Sequence, residues 1–128
     1  MPAYALAHLR ASSPHPDIIT YLERIQATLD PFHGRFVIHG GALEVAEGEW
    51  PGSAVLIEFP DMEQGRAWYA SPAYQDILPL RTDHIEGDVI LVEGVGPDYD
   101  PVERAAKLRA EDPHGYGADS RAGQRPTA

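Results

Sequence analysis

The chain has 128 residues, with 20 acidic and 10 basic side chains for a formal charge of −10, no cysteine, and 12 each of glycine and proline. The length predicts one domain with a tail; the absence of cysteine excludes disulfides, thiol catalysis and thiolate metal sites, and the negative charge argues against nucleic acid and anionic membranes as partners. The N-terminal stretch has no basic region and no run reaches the ~20 apolar residues of a membrane helix, so neither signal peptide nor membrane span is expected and a cytoplasmic protein is the default.

In chain order, Ala3 to Ala11 is apolar but alanine-rich, and its periodicity alone is ambiguous. The Ser12-Ser13-Pro14-His15-Pro16 punctuation that follows predicts a strand rather than a helix. A helix is predicted over 16–30, because Pro16 suits a first turn, Asp17 suits the positive helix end, and Ile18, Tyr21, Leu22, Ile25 and Leu29 form one apolar stripe. Arg35 to His39 reads as a second strand, interrupted by Gly40-Gly41 as at a bulge, with pairing expected to resume over 42–46. Ser53 to Phe59 is a strand rich in β-formers, ended by Pro60. Asp61 with Gln64 has capping-box spacing for the next helix, Ser71-Pro72 restarts it, and Pro79 is expected to kink or end it. Asp88 to Glu93 is the last strand.

The order β-α-β-β-α-β is the ferredoxin-like, α+β arrangement with a four-stranded antiparallel sheet. Its two helices cover one face of the sheet, yet Val55-Leu56-Ile57 and Val89-Ile90-Leu91-Val92 are apolar on both faces. A second copy packed sheet on sheet is the simplest cover, so the chain is expected to be a homodimer; the alternatives are a covering tail or simple exposure. Residues 1–96 form the domain and carry 14 of the acidic but 5 of the basic side chains. Residues 97–128 form the tail, with a short helix over 101–111 that turns Val102, Ala105 and Leu108 inward, then an irregular, Gly- and Pro-rich stretch.

Four stretches, in this order and spacing, form a recognisable signature: Gly34-Arg35-Phe36-Val37-Ile38-His39-Gly40-Gly41; Val55-Leu56-Ile57-Glu58-Phe59-Pro60; Ala67-Trp68-Tyr69-Ala70-Ser71-Pro72-Ala73-Tyr74-Gln75; and Leu80-Arg81 followed by Asp88 to Gly94. Over residues 3–95 the chain resembles the domain-of-unknown-function 1330 family of the dimeric α/β-barrel superfamily. The resemblance implies a ferredoxin-like subunit and a two-fold dimer with facing sheets, and carries no known reaction. Related barrels include cofactor-independent monooxygenases, lactone isomerases and haem enzymes, an analogy of fold alone. In the family the position before the paired glycines is often arginine; here it is His39, so an anion-binding role there does not carry over.

Candidate chemistry rests on polar and aromatic residues within apolar elements. His39 at the expected bulge and His8 in the first strand are the candidate bases, each weighed against a surface or merely hydrogen-bonded histidine. Trp68 and Tyr74, beside the helix break, are candidate ligand-binding residues or plain core. Arg81 is a candidate anion anchor or one half of a structural ion pair with Glu58 or Asp83. Glu58 is expected to pair with Arg35 or Arg81, or to face solvent. The alanines of the first strand either let a helix pack closely or leave room for a ligand. A small-molecule site between sheet and helices is therefore expected, lined by His8, His39, Trp68, Tyr74 and Arg81 with Glu58 and Arg35 nearby. The charge favours neutral or weakly acidic aromatic or polyketide-like ligands. If catalytic, the site suits proton transfer or cofactor-independent oxidation; the rival is a non-catalytic dimer. The histidines at 8, 15, 33, 39, 84 and 114 show no H-x-x-x-H spacing, so a metal site could arise only by tertiary assembly, and neither metal nor cofactor is expected.

Overall fold

The computed structural model describes residues 1–111. The chain divides into two units, Met1–Gly96 and Pro97–Ala128. The first contains β1 (Ala3–Ser12), α1 (Pro16–Leu29) with a 3₁₀ turn at Asp30–Phe32, β2 (Arg35–His39), β3 (Ser53–Phe59), α2 (Met62–Ala70), α3 (Pro72–Thr82) and β4 (Ile85–Glu93). The four strands pair in the order β2-β3-β1-β4, every neighbour antiparallel. This is the ferredoxin-like α+β architecture expected from the sequence.

Local chemistry sets the helix boundaries. The Asp61 carboxylate accepts from the Gln64 N–H at 2.9 Å, and the Ser71 hydroxyl accepts from the Tyr74 N–H at 3.2 Å. At α1 the cap is His15, whose Nδ1 accepts from the Asp17 N–H at 3.0 Å. Pro79 lies inside α3, which continues to Thr82 rather than ending there.

Two expectations about the second strand are corrected. Residues 42–46 form no strand: Gly40, at φ 69°, turns the chain off the sheet after its N–H meets the Ala54 carbonyl. The loop returns through Gly52, at φ 96°, where a Cβ would lie 1.8 Å from the Leu9 carbonyl oxygen, so only glycine fits. The bulge is not at the paired glycines either, but upstream, between Phe36 and Ile38.

The core lies between one sheet face and the helices. Leu29, Phe59, Trp68, Tyr74 and Ile77 are its largest fully buried side chains, joined by Val55 and Ile57 of β3. The Trp68 indole donates to the Thr28 hydroxyl at 3.0 Å, and that hydroxyl donates to the Ile25 carbonyl at 2.7 Å, so both of these buried polar groups are satisfied. The opposite face is apolar and open. Ile38, Leu56, Leu6 and Ile90 are successive partners across all four strands, and Ile90 is 51% exposed.

In the second unit, α4 spans Pro101–Glu111; Val102 is exposed rather than turned inward. The irregular stretch expected after it lies outside the described residues. No helix of the described residues is long and apolar enough to cross a membrane.

Candidate functional site

The inner sheet face and the helices enclose a cavity of about 80 Å³. Its wall includes His39, Trp68, Tyr74 and Arg81, and also Tyr21 of α1. Ala5 and Ala7 form part of its floor, so the small side chains of β1 leave room under the helices.

The β2 bulge brings His39 to this side. Phe36 pairs with Ile57, which is buried in the core, and strict alternation from Phe36 would turn His39 to the outer face. The extra residue at Val37 shifts the register, so Ile38 pairs with Leu56 and His39 with buried Val55. The His39 ring then stacks on Phe36 at 4.1 Å and 5°, exposed at the cavity mouth.

At the inner end sit three polar side chains in apolar surroundings. Arg81 is 7% exposed, and its guanidinium lies 5.7 Å from the centre of the Tyr21 ring, a cation–π contact. The Tyr21 and Tyr74 hydroxyls are 2.8 Å apart and buried. Burial above all, followed by Tyr74, pushes the Tyr21 phenol well above the ordinary tyrosine range, with Arg81 acting in the opposite sense. Near neutral pH it is therefore a protonated phenol, not a phenolate. For Arg81, burial opposes the charge, while the neighbouring Tyr74 and Tyr21 oxygens outweigh it and hold the group above its ordinary value. Among the described residues no carboxylate pairs with Arg81. The cavity wall therefore carries a fixed positive charge with no counter-anion among the described residues.

The remaining residues expected at this site are elsewhere. His8 lies on the outer face, stacked on Trp50 at 4.0 Å, with Nε2 2.7 Å from the Pro51 carbonyl. Glu58 pairs with Arg35 at 2.6 Å, their Cα positions directly opposed across β2 and β3, and neither lines the cavity. The sheet separates His8, Glu58 and Arg35 from the other four because alternate residues of a strand point to opposite faces. Tyr21 was missed as a site residue. The available signal was its phenol, the one polar tip within the apolar stripe of α1.

Strand order and helix placement define a ferredoxin-like α+β fold. The chain belongs to the DUF1330 family, a domain of unknown function, whose model matches residues 2–95. Among solved structures it is similar to the RPA0582 protein of unknown function from Rhodopseudomonas palustris, with 16% identity, TM-score 0.58, and coverage of 75% of this chain and 84% of that one. It is also similar to SnoaB, a cofactor-independent oxygenase from Streptomyces nogalater, with 10% identity, TM-score 0.53, and coverage of 77% and 98%. A dimeric ferredoxin-like protein of unknown function from Jannaschia sp. CCS1 matches at 16% identity and TM-score 0.46, covering 70% of this chain and 98% of that one. No curated protein matches the chain.

Proposed function

We propose that this protein is a homodimer that binds a small, weakly acidic aromatic or polyketide-like compound with one end in the cavity, and that it moves a proton on that compound without a cofactor. The observation that carries this reading is the buried Arg81, with no carboxylate partner among the described residues, on the wall of a cavity shared with two phenols and His39. A buried charge is stable only when paired and hydrogen-bonded, and a ligand oxyanion completes that pairing.

The chemistry follows from these groups. A carbonyl compound with an acidic neighbouring C–H presents its oxygen to Arg81 and its C–H toward the cavity mouth. His39 takes the proton, the C–H electron pair moves to oxygen, and the guanidinium with the phenol O–H groups holds the resulting enolate. Return of the proton from His39 to another carbon completes an isomerisation. SnoaB, which shares the fold, is described as a cofactor-independent oxygenase. An enolate held at Arg81 is the electron-rich form from which oxidation by dioxygen would start.

One observation favours a second reading, a dimer with no active site. The cavity, at about 80 Å³, is about half the ~150 Å³ that admits benzene in an engineered apolar core. A ring enters only if the mouth beside His39 opens.

A thermal-shift and calorimetric screen against aromatic acids, lactones and enolisable diketones separates the two, since a ligand that binds only the folded state raises its stability. The expected result is a hit that Arg81→Met, of similar length and apolar, weakens by about 100-fold or more without loss of fold. His39→Gln is expected to keep binding and to slow deuterium exchange at the acidic carbon by about 100-fold or more. No hit, or equal binding by Arg81→Met, overturns the binding reading; unchanged exchange in His39→Gln overturns the catalytic one.

A further inference from the structure

We propose a second site, a surface-accessible binding site for a divalent transition-metal ion of the zinc type, built from His15, Asp17 and His84. These residues come from the β1–α1 connection, the first turn of α1, and the α3–β4 connection. Each offers a donor atom, and the three atoms lie within 4.8 Å of one another. The Asp17 Oδ2 atom is central: it is 3.1 Å from His84 Nε2 and 3.5 Å from His15 Nδ1. A tetrahedral ion with bonds of about 2.0–2.1 Å places its donors about 3.3 Å apart, so the Asp17–His84 edge is already near the required length, while His15 Nδ1 accepts the Asp17 N–H and must release it to ligate. Two imidazoles with one carboxylate are a donor set that suits zinc, cobalt or nickel ahead of calcium or magnesium, which prefer oxygen.

The surroundings hold the set in place and leave it open. The Ser13 N–H donates to the His84 carbonyl at 3.1 Å and fastens the two connections together. His84 is part-buried, whereas the His15 side chain is 43% exposed. The two rings stack at 3.8 Å and 15°, which confines their nitrogen lone pairs to separate, nearly parallel planes. An ion shared by both rings therefore requires His15, the freer side chain, to turn about χ2 out of the stack. Three protein donors leave a fourth position for water or an exogenous ligand. The positive end of α1 works against a cation, and Asp17 in its first turn offsets that field. Asp83 and Glu86 line an open cleft with His84, adding negative charge at the same rim. No local spacing signals this site, because His15 and His84 meet only through the fold.

The site is independent of the cavity: none of its three residues lines it, although the neighbours Ile18 and Ile85 do. Metal binding is tested on the full untagged chain after dialysis against a chelator, by titration with Zn²⁺ and by the visible spectrum of Co²⁺. The expected result is one ion per chain with a dissociation constant of about 10 µM or tighter, a metal-dependent rise in Tm, and Co²⁺ bands that Zn²⁺ displaces. His84→Gln and His15→Asn, the latter keeping a capping oxygen for the Asp17 N–H, are each expected to weaken binding by about 10-fold or more. Asp17→Asn, nearly isosteric, is expected to do the same and serves where a histidine variant folds poorly. No uptake at 1:1 stoichiometry, or equal uptake by Asp17→Asn and the histidine variants, overturns the proposal.

Discussion

The two faces of the sheet are made by alternate residues of the same four strands, yet they are finished in different ways. The inner face is closed by the unit's own helices, and four of its polar groups are paired among themselves: Trp68 with Thr28, and Tyr21 with Tyr74. The outer face is almost as apolar along the row Ile38, Leu56, Leu6 and Ile90, but no helix of the same unit covers it, and its ion pairs sit at the rim, where Arg35 meets Glu58 and Arg10 meets Asp88. The contrast teaches that apolarity alone does not identify a site. A buried charge with no carboxylate partner among the described residues is the more specific pointer, and it lies inside, at Arg81.

The sharpest test of the contrast compares the two tryptophans. Trp68 is 2% exposed and Trp50 38% exposed. Trp68→Ala is expected to cost about 3–5 kcal/mol, since it opens a large cavity in the core and removes the indole donor from the Thr28 hydroxyl. Trp50→Ala removes the stack on His8 and is expected to cost about 1 kcal/mol. Urea melts of the two variants measure both. Equal losses would mean that the outer face is as fully packed in solution as the inner one.

The next test addresses what covers the outer face. Leu6 faces Leu56 on one side and Ile90 on the other. If a second copy sits there, Leu6→Glu buries a carboxylate without a partner and is expected to weaken the dimer by about 100-fold or more, about 2.7 kcal/mol. Light scattering should then show a 14.0 kDa particle that retains its far-UV spectrum. A dimer unaffected by the change would place the contact on another surface.

The inner face has a signature in alkali. Tyr21 has its pKa raised by burial in the folded state, so folding favours the protonated phenol. Its stabilising contribution is complete below the unfolded value of about 10 and is lost as pH rises beyond it, because the unfolded chain releases the proton first. The unfolding free energy should fall above about pH 10 with a slope approaching 1.4 kcal/mol per pH unit from this group. Tyr21→Phe should remove that part of the slope, as denaturant melts between pH 9 and 11 would show. An unchanged slope would mean that the phenol reaches solvent.

Much of the fold was legible because its signals are local. Ser-Pro and Asp-x-x-Gln caps, strand-ending prolines and the apolar stripe of α1 act within a few residues of themselves. Residues 42–46 misled because Leu43-Glu44-Val45 alternates like a strand, while the φ of Gly40 removes it from the sheet. The site was less legible for a non-local reason. Whether His39 faces the cavity depends on the Val37 bulge, and a bulge is defined by its partner strand β3, whereas His8 faces outward by plain alternation with the cavity-lining Ala5 and Ala7. Tyr21 was read as one member of a stripe, since only the tertiary meeting of α1 with α3 reveals its contact with Tyr74.

The smallest expected effect is also the most conditional. Arg35 is largely exposed and Glu58 only partly so, on the rim of the outer face. In a monomer, such as the Leu6→Glu variant, Arg35→Ala should cost about 0.2–1 kcal/mol, the ordinary worth of a pair in contact with water, and less at high salt. In a dimer that covers this rim, the same substitution strands Glu58 further from water, and its cost should rise above that range. A double-mutant comparison of Arg35→Ala in the wild-type and Leu6→Glu backgrounds, followed by denaturant melts, measures the difference. Equal costs in the two backgrounds would leave the Arg35–Glu58 pair outside any interface and restrict the covered area to the apolar row at the centre of the sheet.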